Sequence, residues 1–540
     1  MTRPRAVAAA ALRRGAGLPA VLAGLAALAL GLSACSGSAA PGGSGGGGGG
    51  GATAQPSPAD PGGPVQPAGK LSWHSCPGVP APARCARLAV PLDYANPGGR
   101  TISLALNEIP ATAPAEQRLG PLLVNPGGPG GSGLSLAAYV AEALPREVAS
   151  RYDIIGFDPR GVGDSVPALH CDPSFFSGVR PPYEPADKAA EQVMVSRAKA
   201  YAADCAKRFG WLLPHMTTAD SAKDMDAIRA ALGAPKMSYF AYSYGTYLGQ
   251  VYATLFPSHV RRMVLDSTVG PGGIWYQDNI NQDYAFQGRA NAFFAWVAQH
   301  HGIYQLGSTQ AQVAAQYDAA LKELAAHPVN GPDGPLVGPD ELADTVLQGG
   351  YNNGYWPEIA SALAQYRRGI SGTALAQLYQ QLGVTHENEF AVYNAVECSD
   401  AAWPRNWARW DADTRKVNSV APFEAWGNAW FNASCAFWPV RGPAEPMKIG
   451  AAGLPGILML QGTLDGATPY AGAQQARQAL GTARMVVVTG GGNHGQSLAS
   501  PPNTCVNGYL ARYLATGALP DGTGAVAATC PALPPPPPSP

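Results

Sequence analysis

Between Pro121 and Asp266 short apolar runs alternate with segments of helical periodicity, and nothing else in the 540 residues restricts the fold so strongly. Pro121–Asn125, Tyr152–Phe157, Met237–Tyr242 and Arg262–Asp266 are brief, apolar and bounded by turn residues, as strands buried on both faces are. Ser221–Leu232 repeats Met225, Ile228 and Leu232 at helical spacing and stops at Gly233, and Thr246–Leu255 reads as a second helix. Upstream, Arg87–Leu92 and Thr101–Ile109 read as strands joined by a turn at Asn96–Arg100. The expected class is α/β, with a mostly parallel, doubly wound sheet and helices on both faces. From Gly272 to Met447 the pattern changes. Trp, Tyr, Asn and Gln become common, and helical spacing runs through Gln310–Ala326, Pro339–Leu347, Trp356–Arg368 and Ser371–Leu382. Strand Ile457–Leu460, helix Ala471–Leu480 and strand Met485–Val488 then restore the alternation. A helical block interrupting a parallel sheet reads as a cap over the carboxyl ends of the strands, where such sheets bind ligands. The expected division is 71–271 for the first part of the core, 272–447 for a mainly helical cap and 448–530 for the rest of the core.

The ends of the chain carry other information. Arg3, Arg5, Arg13 and Arg14 precede an apolar run from Leu18 to Leu32, which is short for a membrane span. Leu32-Ser33-Ala34-Cys35 resembles a bacterial lipobox, so residues 1–34 read as a lipoprotein signal peptide and Cys35 as the lipidated, membrane-anchoring residue. Residues 35–70, with seven consecutive glycines (Gly45–Gly51), read as a flexible linker reaching roughly 30 Å. The proline-rich tail, 531–540, is expected to lack packed structure. Eight further cysteines, an even number in an exported chain, suggest disulfides. Pairing sequence neighbours gives Cys76–Cys85, Cys171–Cys205, Cys398–Cys435 and Cys505–Cys530. The reading is extracytoplasmic, either lipid-anchored at the cell membrane or secreted. Basic and acidic residues nearly balance, 36 against 37, and no basic run stands out, which argues against a nucleic-acid partner. Metal-ligand spacings such as C-x-x-C are absent, so no metal or other cofactor is expected, and no obligate protein partner is evident.

Candidate chemistry sits at strand ends. Ala241-Tyr242-Ser243-Tyr244-Gly245 follows a strand and opens a helix, one residue short of the nucleophile signature G-x-S-x-G. Ala241 adds one methyl where a glycine would pass a neighbouring backbone, which is sterically tolerable. A serine nucleophile needs a base, and the base an orienting acid, in the chain order Ser, acid, His for doubly wound hydrolases. Of nine histidines only His494 lies beyond residue 386, in the loop Gly490-Gly491-Gly492-Asn493-His494-Gly495 after a late strand. Asp465, in Gln461-Gly462-Thr463-Leu464-Asp465-Gly466, follows the preceding strand; its bland reading is a turn aspartate. Oxyanion donors are expected from the backbone N–H of Tyr244 and from the loop Pro126-Gly127-Gly128-Pro129, with Gly128 favoured. A phosphate-binding reading of that loop lacks G-K-[ST] and G-x-G-x-x-G.

The segments "CARLAVPLDYANP", "LLVNPGGPGGSG", "YDIIGFDPRGVGDS", "TTADSAKDMDAIRAALG", "YSYGTYLGQVYATLFP", "AVECSD" and "QGTLDGATPY" together resemble the secreted tripeptidyl aminopeptidase family, with the prolyl iminopeptidase-like serine hydrolases of the α/β-hydrolase fold. The resemblance runs from about Trp73 to Cys530. It implies an acyl-enzyme mechanism with Ser243, Asp465 and His494, acting on peptide substrates with free N-termini and releasing short peptides, often tripeptides. Some relatives resemble carboxylesterases, so an esterase on the same scaffold is the alternative, and a non-catalytic peptide-binding lipoprotein a second one. An aminopeptidase also needs a carboxylate for the substrate ammonium, about 10 Å from Ser243 for three extended residues. Glu397 and Asp400 are the candidates; the bland account pairs them with Arg405 or Arg409. Asp158, Arg160 and Asp164 read as structural, and Trp275, Tyr276 and Trp356 as pocket lining or core, with core favoured.

Overall fold

The computed structural model describes residues 71–77, 82–331 and 334–539. The segments read as signal peptide and linker, and Cys35 with them, lie outside the described residues. Among the described residues twelve strands are formed: β1 (His74–Ser75), β2 (Arg84–Pro91), β3 (Thr101–Ile109), β4 (Gly120–Asn125), β5 (Tyr152–Phe157), β6 (Met237–Tyr242), β7 (Val260–Asp266), β8 (Val329–Gly331), β9 (Gly334–Val337), β10 (Ile457–Gly462), β11 (Ala483–Thr489) and β12 (Ala528–Pro531). Ten of them make one sheet in the order β1-β2-β3-β5-β4-β6-β7-β10-β11-β12. The first three pair antiparallel, with β3 antiparallel to β5. From β5 to β12 every pair is parallel.

Period-two alternation sorts the central strands onto two cores. Leu123, Tyr239, Ala241, Met263, Leu265 and Met459 face one side, against helices Thr218–Ala231 and Tyr244–Leu255. Leu122, Val124, Phe240, Tyr242, Val264 and Leu458 face the other, against helices Gly133–Ala143 and Thr504–Thr516. Both faces are covered, which is why these strands read as continuous apolar runs. The chain leaves β4 toward β5 on one side and later returns to β6 on the other. Strand order therefore reverses between β4 and β6, and the crevice beyond their carboxyl ends is where doubly wound sheets bind ligands.

The cap enters between β7 and β10. Its helices Tyr276–Gln299, Gln310–Ala326, Pro339–Tyr351, Trp356–Arg367 and Thr373–Leu382 share a separate apolar core. The next helix, Glu387–Asp400, instead packs Phe390, Ala391, Val392 and Val396 into the core of the sheet. Four disulfides join the sequence neighbours Cys76–Cys85, Cys171–Cys205, Cys398–Cys435 and Cys505–Cys530, the mark of a protein that matures outside the cytoplasm. The tail departs from expectation: it lies along the cap. Trp296 Nε1 donates to the Pro536 carbonyl at 3.2 Å, and Ser539 N–H to the Tyr304 hydroxyl at 3.2 Å. A proline run has no internal hydrogen bonds, so its carbonyls are open to such donors.

Candidate active site

Ser243 stands between β6 and helix Tyr244–Leu255 with φ 56° and ψ −133°. Positive φ is costly for a residue with a side chain and persists where the surroundings enforce it. Here the Ser243 N–H is held by the Asp266 carbonyl at 3.1 Å, and its own carbonyl accepts from Thr246 N–H at 2.8 Å. Gly245 must be glycine: a Cβ there would lie 2.6 Å from Asn125 Oδ1 and 2.9 Å from the Ala241 methyl. The methyl at 241 fits because residue 245 has no side chain.

The loop after β4 passes directly over the serine. A Cβ on Gly127, whose φ is 102°, would sit 2.8 Å from Ser243 Cβ and 3.0 Å from Tyr244 N. Gly127 N–H is engaged by Asn125 Oδ1 at 2.9 Å, which leaves Gly128 as the next donor along the loop. Tyr244 opens its helix, where N–H groups have no partner within the helix. The far side of the loop is braced by Ser132 Oγ, which donates to Asp158 Oδ1 at 2.5 Å, and Asp158 Oδ2 accepts Asp164 N–H at 2.8 Å. Arg160 is buried in an ion pair with Asp224 at 2.8 Å. Asp158 and Arg160 thus serve the turn beside the site.

Asp465 and His494 come together from successive loops. His494 Nδ1 lies 3.0 and 3.1 Å from the two Asp465 oxygens. Burial disfavours the Asp465 carboxylate, but the charge and hydrogen bond of His494 and the Thr468 N–H outweigh it and hold the group below its ordinary value. Ala467 and Thr468 N–H each reach Asp465 Oδ1 at 3.0 Å. His494 is 8% exposed, and its Nε2 is buried without a hydrogen-bond partner. It does not bond Ser243 in this state; such contacts are commonly long before substrate is bound. Ser243, Tyr244, Gly127, Gly128 and His494 all open on one cavity of about 860 Å³ between sheet and cap.

Three contributors escaped the sequence reading. The Asp266 carboxylate accepts N–H of Gln496 and Ser497, both at 2.8 Å, and the Ser497 hydroxyl at 2.5 Å, so it anchors the chain just after His494. Burial, countered by those donors, pushes it up to about 6. Ser267 Oγ accepts Gly495 N–H at 2.7 Å. Arg289, from the first cap helix, fills the hollow left by two glycines: a Cβ on Gly492 would meet its Nη1 at 2.0 Å, and one on Gly466 its Cγ at 3.1 Å.

The cap supplies the cavity's charge. Asp278, Asp344, Glu389, Glu397 and Glu424 line it and no Lys or Arg does; Asp344 pairs with Arg180, and the other four carboxylates have no ion pair among the described residues. Burial raises all four; Asp278 reaches about 7. Glu397 accepts from Asn279 Nδ2 at 3.3 Å. Asp400 does not line the cavity: its carboxylate accepts Thr218 N–H at 2.7 Å and the Thr218 hydroxyl at 2.5 Å. Neither acid pairs with the nearby arginines, since Arg405 donates to the Trp438 and Val440 carbonyls and Arg409 to Asp413. Among the described residues no group of His, Cys, Asp and Glu has metal-holding geometry.

A serine at a strained strand–helix corner, an Asp–His pair and glycine N–H groups surround one cavity, and the model of the α/β hydrolase fold family matches residues 120–499. The tripeptidyl aminopeptidase of Streptomyces coelicolor is 41% identical over 474 residues, which cover 85% of this chain and 86% of that one. The chain belongs to the tripeptidyl aminopeptidase family of α/β hydrolases. This family member is also similar to serine protease Hip1 of Mycobacterium tuberculosis, at 33% identity over 82% of this chain and 87% of that one. A protein named carboxylesterase B from the same organism is 35% identical over 85% and 90% of the two chains. As a member of this family it is a serine hydrolase.

Proposed function

We propose that this α/β hydrolase is an extracytoplasmic aminopeptidase that releases short peptides, chiefly tripeptides, from substrates with a free N-terminus. Ser243 is the nucleophile, His494 the base and Asp465 the group that orients it. His494 Nε2 takes the Ser243 proton as Oγ attacks the scissile carbonyl, and the N–H groups of Gly128 and Tyr244 receive the developing oxyanion. The proton passes from Nε2 to the leaving amine. Water, deprotonated by the same nitrogen, then cleaves the acyl-enzyme and restores the serine. Anchoring through a lipid on Cys35 accompanies this reading and is tested by the intact mass of the mature N-terminus.

The observation that carries the reading is the sign of the cavity. Among the described residues, four carboxylates without a cationic partner, and no Lys or Arg, face the space above Ser243. Such a wall favours a substrate carrying an ammonium and opposes a free carboxylate. The test compares a chromogenic tripeptide bearing a free amine with its N-acetylated form. Turnover that collapses on acetylation is expected; equal rates would return the protein to the esterase reading that the name of one relative suggests.

A further inference from the structure

One strip of the cavity wall comes from a single helix face. Asp344, Leu347, Gln348 and Tyr351, on helix Pro339–Tyr351, all line the cavity, as residues three and four apart do. The strip begins at the catalytic histidine. The Tyr351 carbonyl accepts His494 N–H at 2.7 Å, and the two rings meet edge-on with centroids 5.5 Å apart. Leading away from His494, Gln348 comes about one turn on and Asp344 about two, roughly 10 Å along the axis at 1.5 Å per residue.

At the far end negative charge exceeds its cations. Arg180 pairs with Glu341 at 2.8 Å and Asp344 at 2.6 Å. Tyr183 donates its hydroxyl to Asp344 and its N–H to Asp340, at 2.8 and 2.7 Å. Glu424 folds back over Gly427 beside the Tyr183 ring, raised by burial and then by the charge of Asp344, and its carboxylate has no partner among the described residues. One guanidinium thus serves a corner holding four carboxylates. A separate observation points to a missing donor. Gln348, 7% exposed and on the cavity wall, has its Oε1 buried with no hydrogen-bond partner, and a buried acceptor of that kind calls for an explanation.

We propose that Gln348, Asp344 and Glu424 seat the substrate's α-ammonium, and that the helix face from Tyr351 to Asp344 sets the released peptide at three residues. This rests on the aminopeptidase reading and names the groups that serve it. Three extended residues span about 10 Å and two about 7 Å, so a tripeptide brings its amine to the carboxylates while a dipeptide stops short. The three donors of an ammonium match one amide oxygen and two carboxylates. Glu397 lies on another helix, Glu387–Asp400, off the strip that leads away from His494, and accepts from Asn279 Nδ2 at 3.3 Å.

The test measures steady-state hydrolysis by the full chain of Ala-Ala-Ala, Ala-Ala and N-acetyl-Ala-Ala-Ala p-nitroanilides, a Lys-substituted tripeptide, and p-nitrophenyl acetate. Glu424→Gln and Gln348→Leu are each expected to lower kcat/KM on the free-amine tripeptide about 10- to 100-fold, as loss of a hydrogen bond to a charged group does. Ester turnover should stay at the wild-type rate, which also reports a folded, competent triad. If one variant fails to fold, the other carries the comparison. Full tripeptide activity in the variants, or the same loss in Glu397→Gln alone, would overturn the seat while leaving the aminopeptidase intact. So would a loss confined to the Lys-containing substrate, which would make a basic side chain the occupant. Equal wild-type rates on free and acetylated tripeptides would instead remove the aminopeptidase reading itself.

Discussion

Asp266 closes β7 and serves two loops at once. Its carbonyl holds the Ser243 N–H, and its carboxylate gathers two N–H groups and a hydroxyl from Gln496 and Ser497. An asparagine would turn an NH2 toward one of those donors, leaving a buried donor unmatched. Asp266→Asn is expected to lower kcat about 10- to 100-fold, with KM near that of the wild type and the far-ultraviolet circular dichroism unchanged. A matching rise in KM would show instead that the cavity had been distorted. Ser243→Ala should abolish tripeptide and ester turnover alike. The difference between these two residues also explains what a sequence discloses. Ser243, Asp465 and His494 sit in short glycine-marked loops at strand ends, and their order along the chain is restrictive. Asp266 follows a strand as turn aspartates do, and its partners lie 230 and 231 positions away, so no local pattern announces it.

Helix Pro339–Tyr351 shows where element boundaries mislead. Spacing ends the helix at Leu347, because Gly349-Gly350 looks like a stop. The helix continues because those glycines are points of contact: a Cβ on Gly349 would meet the Trp356 ring and Ile359 at 3.1 Å, and one on Gly350 the Phe286 ring at 2.9 Å. The added turn carries Gln348 and Tyr351 into the cavity wall. In the same way, five prolines in a row suggest an unpacked tail, while the cap receives it with Trp296 as donor and the Tyr304 hydroxyl as acceptor. The parallel sheet and the interruption by a cap were legible because burial on two faces writes apolar runs into the chain; contacts between distant elements leave no such trace. Truncation after Leu533 removes both tail hydrogen bonds, each worth about 1 kcal/mol. Faster amide exchange is expected across Trp296–Tyr304, with ester turnover unchanged. Unaltered exchange there would mean that the tail contributes nothing to the cap.

Across the whole molecule, buried acids set the pH at which the fold is most stable. Burial is the leading cause in each case: it pushes Asp158 and Asp266 to about 6, Asp278, Asp283 and Asp400 to about 7, and Asp340 to about 8. Each binds a proton more tightly folded than unfolded. Their contribution is complete below the unfolded value near 4 and is lost as pH rises through 6 to 8. Asp226, Glu387 and Asp465 behave oppositely. Burial would raise them, but hydrogen bonds and cations hold them low, so what they add is present above the unfolded value and lost as pH falls through the folded one. The two groups leave a maximum near the unfolded carboxyl value, at about pH 4 to 4.5. Urea midpoints should therefore fall from pH 5.5 to pH 8, and fall again below about pH 4. Asp283→Asn offers a local check, since Asp283 accepts from Asn428 Nδ2 at 2.9 Å and has no cation beside it. Removing its titration should flatten the slope between pH 6 and 8, whereas a midpoint already constant over that range in the wild type would mean that these carboxyls are not proton-bound in the native state.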